Sequence, residues 1–236
     1  MTNEFILLSD LHGNAPALDA VIEREGLDNE YLVLGDIHGL NAYPKEVMDL
    51  LNEMKPLVVL AGNHDKAIFH HGEGHVNSTE LNSFELDHTQ SELSDKDRDM
   101  MRQLPFMHVM TRNGSRICLT HSMPWPERAS GYERGNAGIR KADVVEIAAT
   151  VSDDYDWVFH GHTHEQYNLD CTRFGHDVHF VNPGSLGYAG SYTVVSTDSN
   201  KVEHKSVGGE YDRDSLKDHV QSVLPEDAPH TEEWLE

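Results

Sequence analysis

The chain has 236 residues, with 41 acidic against 18 basic side chains and a formal charge of -23. That length suffices for one well-cored domain, and the charge argues against long nucleic acid as a partner, because non-specific binding to a phosphate backbone depends on Lys and Arg displacing condensed counterions. No apolar stretch reaches the roughly 18 to 20 residues of a membrane span, and Met-Thr-Asn-Glu runs into a strand-like segment without a basic leader, so the expectation is a soluble cytoplasmic protein.

The elements follow in order. Phe5 to Leu8 reads as a buried strand ending at Asp10. Ala17, Leu18, Val21 and Ile22 then fall at helical spacing behind Asn14 as cap and Pro16 in the first turn. Tyr31 to Leu34 is a second strand ending at Asp36, Pro44 opens a second helix carrying Val47, Met48, Leu50 and Leu51, and Leu57 to Leu60 is a third strand. This βαβαβ pattern predicts a parallel sheet with right-handed crossovers. Residues 66–104 lose apolar content and gain acid, and Ser94-Asp95-Lys96-Asp97 is a helix start, so a mostly helical insertion over the mouth of the site is expected. Arg112-Asn113-Gly114-Ser115 signals a hairpin. A helix around Lys141 to Thr150, a strand at Trp157, and short strands near Asn168, Val178, Tyr192 and Lys201 complete a domain spanning 1–207. Residues 208–236 form an acidic tail with at most one short helix near Ser215 to Val223 and a mobile end. The expected class is α/β, a four-layer α/β/β/α sandwich with two mixed β-sheets. Cys118, inside an apolar strand, and Cys171 read as reduced thiols. The acidic balance fits a salt-rich cytoplasm, where self-repulsion is screened.

Most of these strands end in a residue type that binds metal. Asp10-x-His12, Gly35-Asp36, Gly62-Asn63-His64-Asp65, a lone His121 and Gly161-His162-Thr163-His164 occur in that order, each just past an apolar run. Polar groups at strand carboxyl ends are where open α/β sheets hold ligands, so convergence on one point is expected. A set of carboxylate, imidazole and amide-oxygen donors suits Mn, Fe, Zn or Co rather than thiophilic copper or all-oxygen calcium. No His-Glu-x-x-His and no His-x-His-x-Asp-His occurs, which excludes zinc hydrolases of other folds.

These motifs resemble those of the calcineurin-like metallophosphoesterases, in particular the small prokaryotic branch that opens with Asp-x-His-Gly-Asn, here Asp10 to Asn14. The resemblance runs from about Phe5 to Val207. It implies two divalent ions, Mn first, with Fe, Zn, Co or Ni as other candidates. Asp10, His12, Asp36 and His164 would hold one, and Asp36, Asn63, His121 and His162 the other, with Asp36 bridging. A neutral Asn63 keeps the site attractive to phosphate, since a third carboxylate would cancel the net positive charge. The implied reaction is attack on phosphorus by a metal-bridging hydroxide, with His64 as proton donor and Asp65 beside it as the second catalytic candidate. The implied substrate is a small phosphorylated molecule, through phosphodiesterase or phosphatase activity, on nucleotides among others. A nuclease of the same superfamily and a non-catalytic metal-dependent binding module are the alternatives.

Other residues depart from the pattern. His38 stands two residues after Asp36, where the family carries an apolar or small residue. After Asn182-Pro183-Gly184-Ser185 many relatives continue Gln-Pro-Arg, whereas this chain has Tyr188-Ala189-Gly190, so an arginine able to grip substrate is absent there. A tight turn re-aiming the last strands accounts for that segment. Pro126 to Lys141 offers replacement cations in Arg128, Arg134, Arg140 and Lys141, with Arg128 and Arg134 the candidates for a distal phosphate. His70, His71, His75, His88, His108, His176 and His219 match no motif position and read as loop or surface histidines.

Overall fold

The computed structural model describes residues 4–39, 43–70, 83–122, 138–151, 154–173 and 175–223. Within them the elements run β1 (Glu4–Leu8), α1 (Ala15–Glu25), β2 (Glu30–Val33), α2 (Pro44–Met54), β3 (Val58–Val59), α3 (Asn63–Phe69), α4 (Ser83–Glu92), α5 (Asp95–Arg102), β4 (Met107–Arg112), β5 (Ser115–Thr120), α6 (Val144–Val151), β6 (Trp157–Phe159), β7 (Gln166–Arg173), β8 (His176–Pro183), α7 (Leu186–Ala189), β9 (Ser191–Ser196), β10 (Lys201–Ser206) and α8 (Arg213–Val223).

The strands assemble into two five-stranded sheets, ordered β10-β9-β1-β2-β3 and β4-β5-β6-β8-β7. β1, β2 and β3 are parallel, as the βαβαβ pattern requires, while β9 runs antiparallel to β1 and makes the sheet mixed. In the second sheet β5, β6 and β8 are parallel, flanked by antiparallel β4 and β7. β3 pairs with β2 over only two register positions, and Leu57 ahead of it is half exposed, because an edge strand is covered on one side alone.

Alternation along each strand builds the layers, since successive side chains point to opposite faces. Phe5 and Leu7 of β1, and Leu32 of β2 with Leu34 beyond it, meet Ile117 and Leu119 of β5 and Trp157 and Phe159 of β6 in one cluster between the sheets. The intervening Ile6, Leu8, Tyr31 and Val33 face outward onto α1 and α2, through Leu18, Val21, Val47 and Leu51. Cys118, Val158, Val178 and Phe180 face outward from the second sheet onto Val144, Ile147 and Ala148 of α6. Three apolar interfaces therefore separate four layers, and the fold is the expected α/β/β/α sandwich.

Local capping follows the sequence. Asn14 Oδ1 accepts the Ala17 N–H at 3.1 Å, Ser94 and Asp97 form a capping box, and Asn113 and Gly114 take positive φ in the β4–β5 turn. Both cysteines are free, and burial raises the Cys118 thiol to about 12. In the segment expected as a tail, α8 packs the buried Leu216 and Val220 against Tyr43 and Tyr211. Tyr43 also stacks on His219, with centroids 4.2 Å apart. The expected mobile end, residues 224–236, falls outside the described residues. Among the described residues no helix is long and apolar enough to cross a membrane.

Candidate metal centre

The residues ending β1, β2, β3, β5 and β6 come together on one edge of the sandwich. Their loops are laced to each other by backbone bonds: Asp10 N–H to Gly35 O at 3.0 Å, His12 N–H to Asp36 O at 2.9 Å, Gly13 N–H to Ile37 O at 2.8 Å and Gly161 N–H to His121 O at 3.0 Å. Asp10, His12, Asp36, His162 and His164 all adopt positive φ, between 48° and 71°. Non-glycine residues rarely occupy that region, and a cluster of them marks strain held by the surrounding structure at a functional position. Of the other such residues, Lys55 ends a helix and Asn113 lies in a hairpin turn.

Two sets of donor atoms converge. His164 Nε2 stands 3.2 Å from Asp10 Oδ1 and 3.2 Å from His12 Nε2. His121 Nε2 stands 3.2 Å from Asp36 Oδ2 and 3.0 Å from Asn63 Oδ1, and His162 Nδ1 stands 2.8 Å from the same Asn63 oxygen. Asp10/His12/His164 and Asp36/His121/His162 each keep one ligand atom per residue within 4.8 Å of the others, and His12, Asp36 and His64 form a third such group. Atoms bonded to a shared ion at about 2.1 Å stand roughly 3.0 to 3.4 Å apart in octahedral or tetrahedral arrangement, which is the spacing most of these pairs show. Asp10 Oδ1 is buried with no hydrogen-bond partner, a costly arrangement for a carboxylate oxygen unless a cation engages it. The donor set thus fits divalent ions.

The ring orientations agree. His121 Nδ1 lies 2.9 Å from the Leu34 carbonyl, so the proton is assigned to Nδ1 and the Nε2 lone pair is turned to Asp36 and Asn63. Asp36 Oδ1 accepts the His64 N–H at 2.9 Å and Asp10 Oδ2 accepts the His162 N–H at 3.0 Å, fixing both carboxylates. Without an ion, Asp36 outweighs the burial that opposes charge on His121 and raises its pKa to about 9, so a cation bound at Nε2 would take the place of that proton. Burial likewise opposes ionisation of Asp10 and Asp36, but their histidine neighbours win, holding Asp10 down at about 2 and Asp36 well below the usual range. His12 goes the other way, lowered to about 3 by burial and then by His64. The cluster gathers two buried carboxylates beside partly exposed imidazoles, and its field favours a cation. Two glycines keep it closed: a Cβ on Gly62 would meet Asp36 Oδ1, and one on Gly161 would meet Ser9 Oγ.

The structure brings together all seven residues expected to hold metal, with His64 against them, its ring 4.9 Å from that of His12. Asp65, the second catalytic candidate, turns its carboxylate to backbone groups. Its buried carboxylate accepts the N–H groups of Ile37, His38 and Gly62 at 2.9 to 3.1 Å, tying the loop after β2 to the start of α3. Arg128 and Arg134 lie outside the described residues. His38 is fully buried with neither ring nitrogen partnered, against Phe69.

Several residues that sequence reasoning missed support the centre. His160 is buried between Tyr167 Oη, 3.0 Å from its Nε2, and Asn182 Nδ2, 3.4 Å from its Nδ1. Asn182 also donates to Gly161 O and Thr163 Oγ1, and Ser185 Oγ donates to Asp10 O at 2.9 Å. The Asn182 to Ser185 turn therefore braces two of the ligand loops as well as redirecting the chain. Its signal was the Asn-Pro-Gly-Ser motif itself, whose side chains serve the turn and the α7 cap, Asn182 Oδ1 accepting the Gly184 N–H and Ser185 Oγ the Tyr188 N–H, as well as the neighbouring loops. Tyr188 is a further such residue, its ring centroid 4.7 Å from that of His164 and 5.6 Å from that of His12.

A family model described as the calcineurin-like phosphoesterase superfamily domain matches residues 4–201. Among solved structures, a hypothetical protein of Pyrococcus horikoshii OT3 is 23% identical with a TM-score of 0.73, covering 95% of each chain. A metallophosphoesterase of Sphaerobacter thermophilus is 22% identical with a TM-score of 0.71, covering 98% of this chain and 97% of its own. An archaeal phosphodiesterase is 16% identical with a TM-score of 0.51, covering 86% and 99% respectively. These likenesses establish the shared fold. No curated protein matches the chain.

Proposed function

The chain belongs to the calcineurin-like phosphoesterase superfamily, and we propose that within it this protein hydrolyses small phosphate esters at a centre holding two divalent ions. The observation that carries the reading is the convergence of two donor sets on residues held at positive φ, with Asp36 facing both His12 and His121. Asp10, His12 and His164 would hold one ion, Asn63, His121 and His162 the other, and Asp36 would serve both. Bound there, such ions activate water near neutral pH and neutralise phosphoryl oxygens.

The chain's own residues do the rest. Asn63 contributes an oxygen without charge, so the centre keeps its pull on an anionic ester. His64 holds the proton delivered to the leaving oxygen, a role worth about 10² to 10⁴ in rate. Asp65, through its three backbone bonds, keeps the His64 end of α3 fixed beside Asp36. We read Asp65 as a positioning residue. Mn is the ion we favour, and the substrate is a small molecule, because a chain of charge -23 repels a polyanion.

The test is a metal-reconstituted assay of wild type and His64→Ala on an aryl phosphomonoester, a bis-aryl phosphodiester and a dinucleoside polyphosphate. Turnover of at least one by wild type is expected. Full occupancy by metal with no turnover on any would favour the binding module instead.

A further inference from the structure

We propose that Gly39 is a positioning residue for the reaction. Its backbone lies against Nδ1 of His64 and holds the imidazole so that Nε2 is the nitrogen presented to the leaving oxygen. The inference rests on His64 as the proton donor of the Asp/His cluster and says what keeps that donor aimed.

A working imidazole is usually held in orientation by a hydrogen bond from its second nitrogen to a carbonyl or carboxylate. His64 lacks that bond. Its Nδ1 is buried with no hydrogen-bond partner, and the carboxylate next to it in the chain, Asp65, is committed to the N–H groups of Ile37, His38 and Gly62. Contact takes the place of the bond. Gly39 lies so close that a Cβ on it would stand 2.9 Å from His64 Nδ1 and 3.4 Å from both Cβ and Cγ. The ring of His12 supplies a second contact, edge to face, with the planes at 78°. A nitrogen that reaches neither solvent nor a partner cannot pass a proton to substrate, so the transfer falls to Nε2.

The loop that carries Gly39 is itself fixed. Ile37 and His38 donate their N–H groups to Asp65 at 3.1 Å, and Ile37 O accepts the Gly13 N–H at 2.8 Å. Asp36 Oδ1 accepts the His64 N–H at 2.9 Å, which pins the first turn of α3 from the same loop. Asp65 thus latches the segment bearing Gly39 to the helix bearing His64, and the two are held in register. Glycine is required at this point twice over. Its φ of +91° is a conformation that other residues rarely adopt, and a methyl 2.9 Å from Nδ1 would intrude about half an ångström on ordinary contact, so the imidazole would have to swing away.

The experiment uses metal-loaded full-length protein and ester pairs that differ only in the leaving group, p-nitrophenyl against phenyl phosphate and the corresponding methyl diesters. Phenoxide is the more basic leaving group and depends more on a delivered proton. Gly39→Ala should keep its metal and its KM, while kcat falls roughly tenfold on the phenyl ester and far less on the p-nitrophenyl ester. The same substitution should cost nothing further in His64→Ala, where the ring it displaces is gone. Gly114→Ala, at a φ of +86° but with nothing within 4 Å of the added Cβ, measures backbone strain alone and should leave kcat unchanged. Gly39→Ala equal to wild type, an equal loss on both leaving groups, a loss that persists in His64→Ala, or loss of bound metal would each overturn the proposal while leaving the hydrolase reading intact. His64→Ala with wild-type turnover would refute the proton donor and its positioning together. Independently of any variant, zinc-loaded wild type should show a nuclear Overhauser contact between the Gly39 α-protons and the His64 ring proton on Cε1. Its absence would overturn the proposal even where Gly39→Ala fails to fold.

Discussion

Placing a methyl group at Gly161 puts the account under direct stress. Gly161 precedes the His162–His164 loop, and a Cβ there would overlap Ser9 Oγ, lie 2.9 Å from Ser9 Cβ and lie 2.8 Å from Asp10 Oδ2. Ordinary contact begins near 3.4 Å, so Asp10 or the loop must yield by roughly half an ångström, and Ser9 by more. Overpacking of this kind costs about 2 kcal/mol, which for a chain of 236 residues lowers Tm by about 4 to 8 °C. The functional loss should exceed what stability alone explains, because a misplacement approaching 1 Å at a reacting centre costs on the order of a hundredfold. Gly161→Ala should therefore fold, melt earlier, hold less metal and lose most of its activity. The swap Ser9→Gly with Gly161→Ala removes the Ser9 contacts but not that with Asp10, so it should recover Tm while metal content stays low. Calorimetry, metal analysis and the diester assay read these effects separately. Gly161→Ala with unaltered Tm, metal content and turnover would refute the close approach of the β1 and β6 loops.

Three further outcomes are expected. His64→Ala should keep both metals and lose about 10² to 10⁴ in kcat, and turnover equal to wild type would contradict the proton-donor role. His38 and His160, each held down at about 3 by burial, bind protons more weakly folded than unfolded. Their contribution to stability is thus complete above about pH 6.5 and lost as pH falls toward 3, by about 2 kcal/mol for each group at pH 5. His38→Leu also removes two unpartnered ring nitrogens, so in denaturant titrations it should be at least as stable as wild type at pH 7.5 and clearly more stable at pH 5. A variant weaker at both would show that His38 has a partner it needs. Finally, the charge of -23 should make Tm fall as salt is withdrawn, whereas a Tm independent of salt would count against adaptation to a salty interior.

Much of this arrangement was legible in the chain because strand alternation and loop chemistry are local. Phe5/Leu7 against Ile6/Leu8 already encodes a strand buried on both faces, and each of the seven metal candidates follows its own strand by one to five positions. What the sequence hid depends on contacts distant along the chain. Tyr188 drew notice only as part of a segment lacking an arginine, because its packing on His12 and His164 exists only after α7 docks on the β1 loop. His160 passed unnoticed because its partners, Tyr167 and Asn182, come from β7 and β8. The acidic composition past residue 207 concealed Leu216 and Val220, two apolar residues one helical turn apart that are enough to seat α8 on Tyr43. Nor could the sequence show that the Asp65 carboxylate accepts backbone N–H groups from the loop after β2, since those partners lie 27 and 28 positions earlier in the chain.

Anomalous diffraction from crystals of the Mn-loaded protein tests the central claim most directly. The account predicts two peaks on either side of Asp36, one among Asp10, His12 and His164, the other among Asn63, His121 and His162. A fully active protein with a single peak, or with peaks away from Asp36, would contradict it.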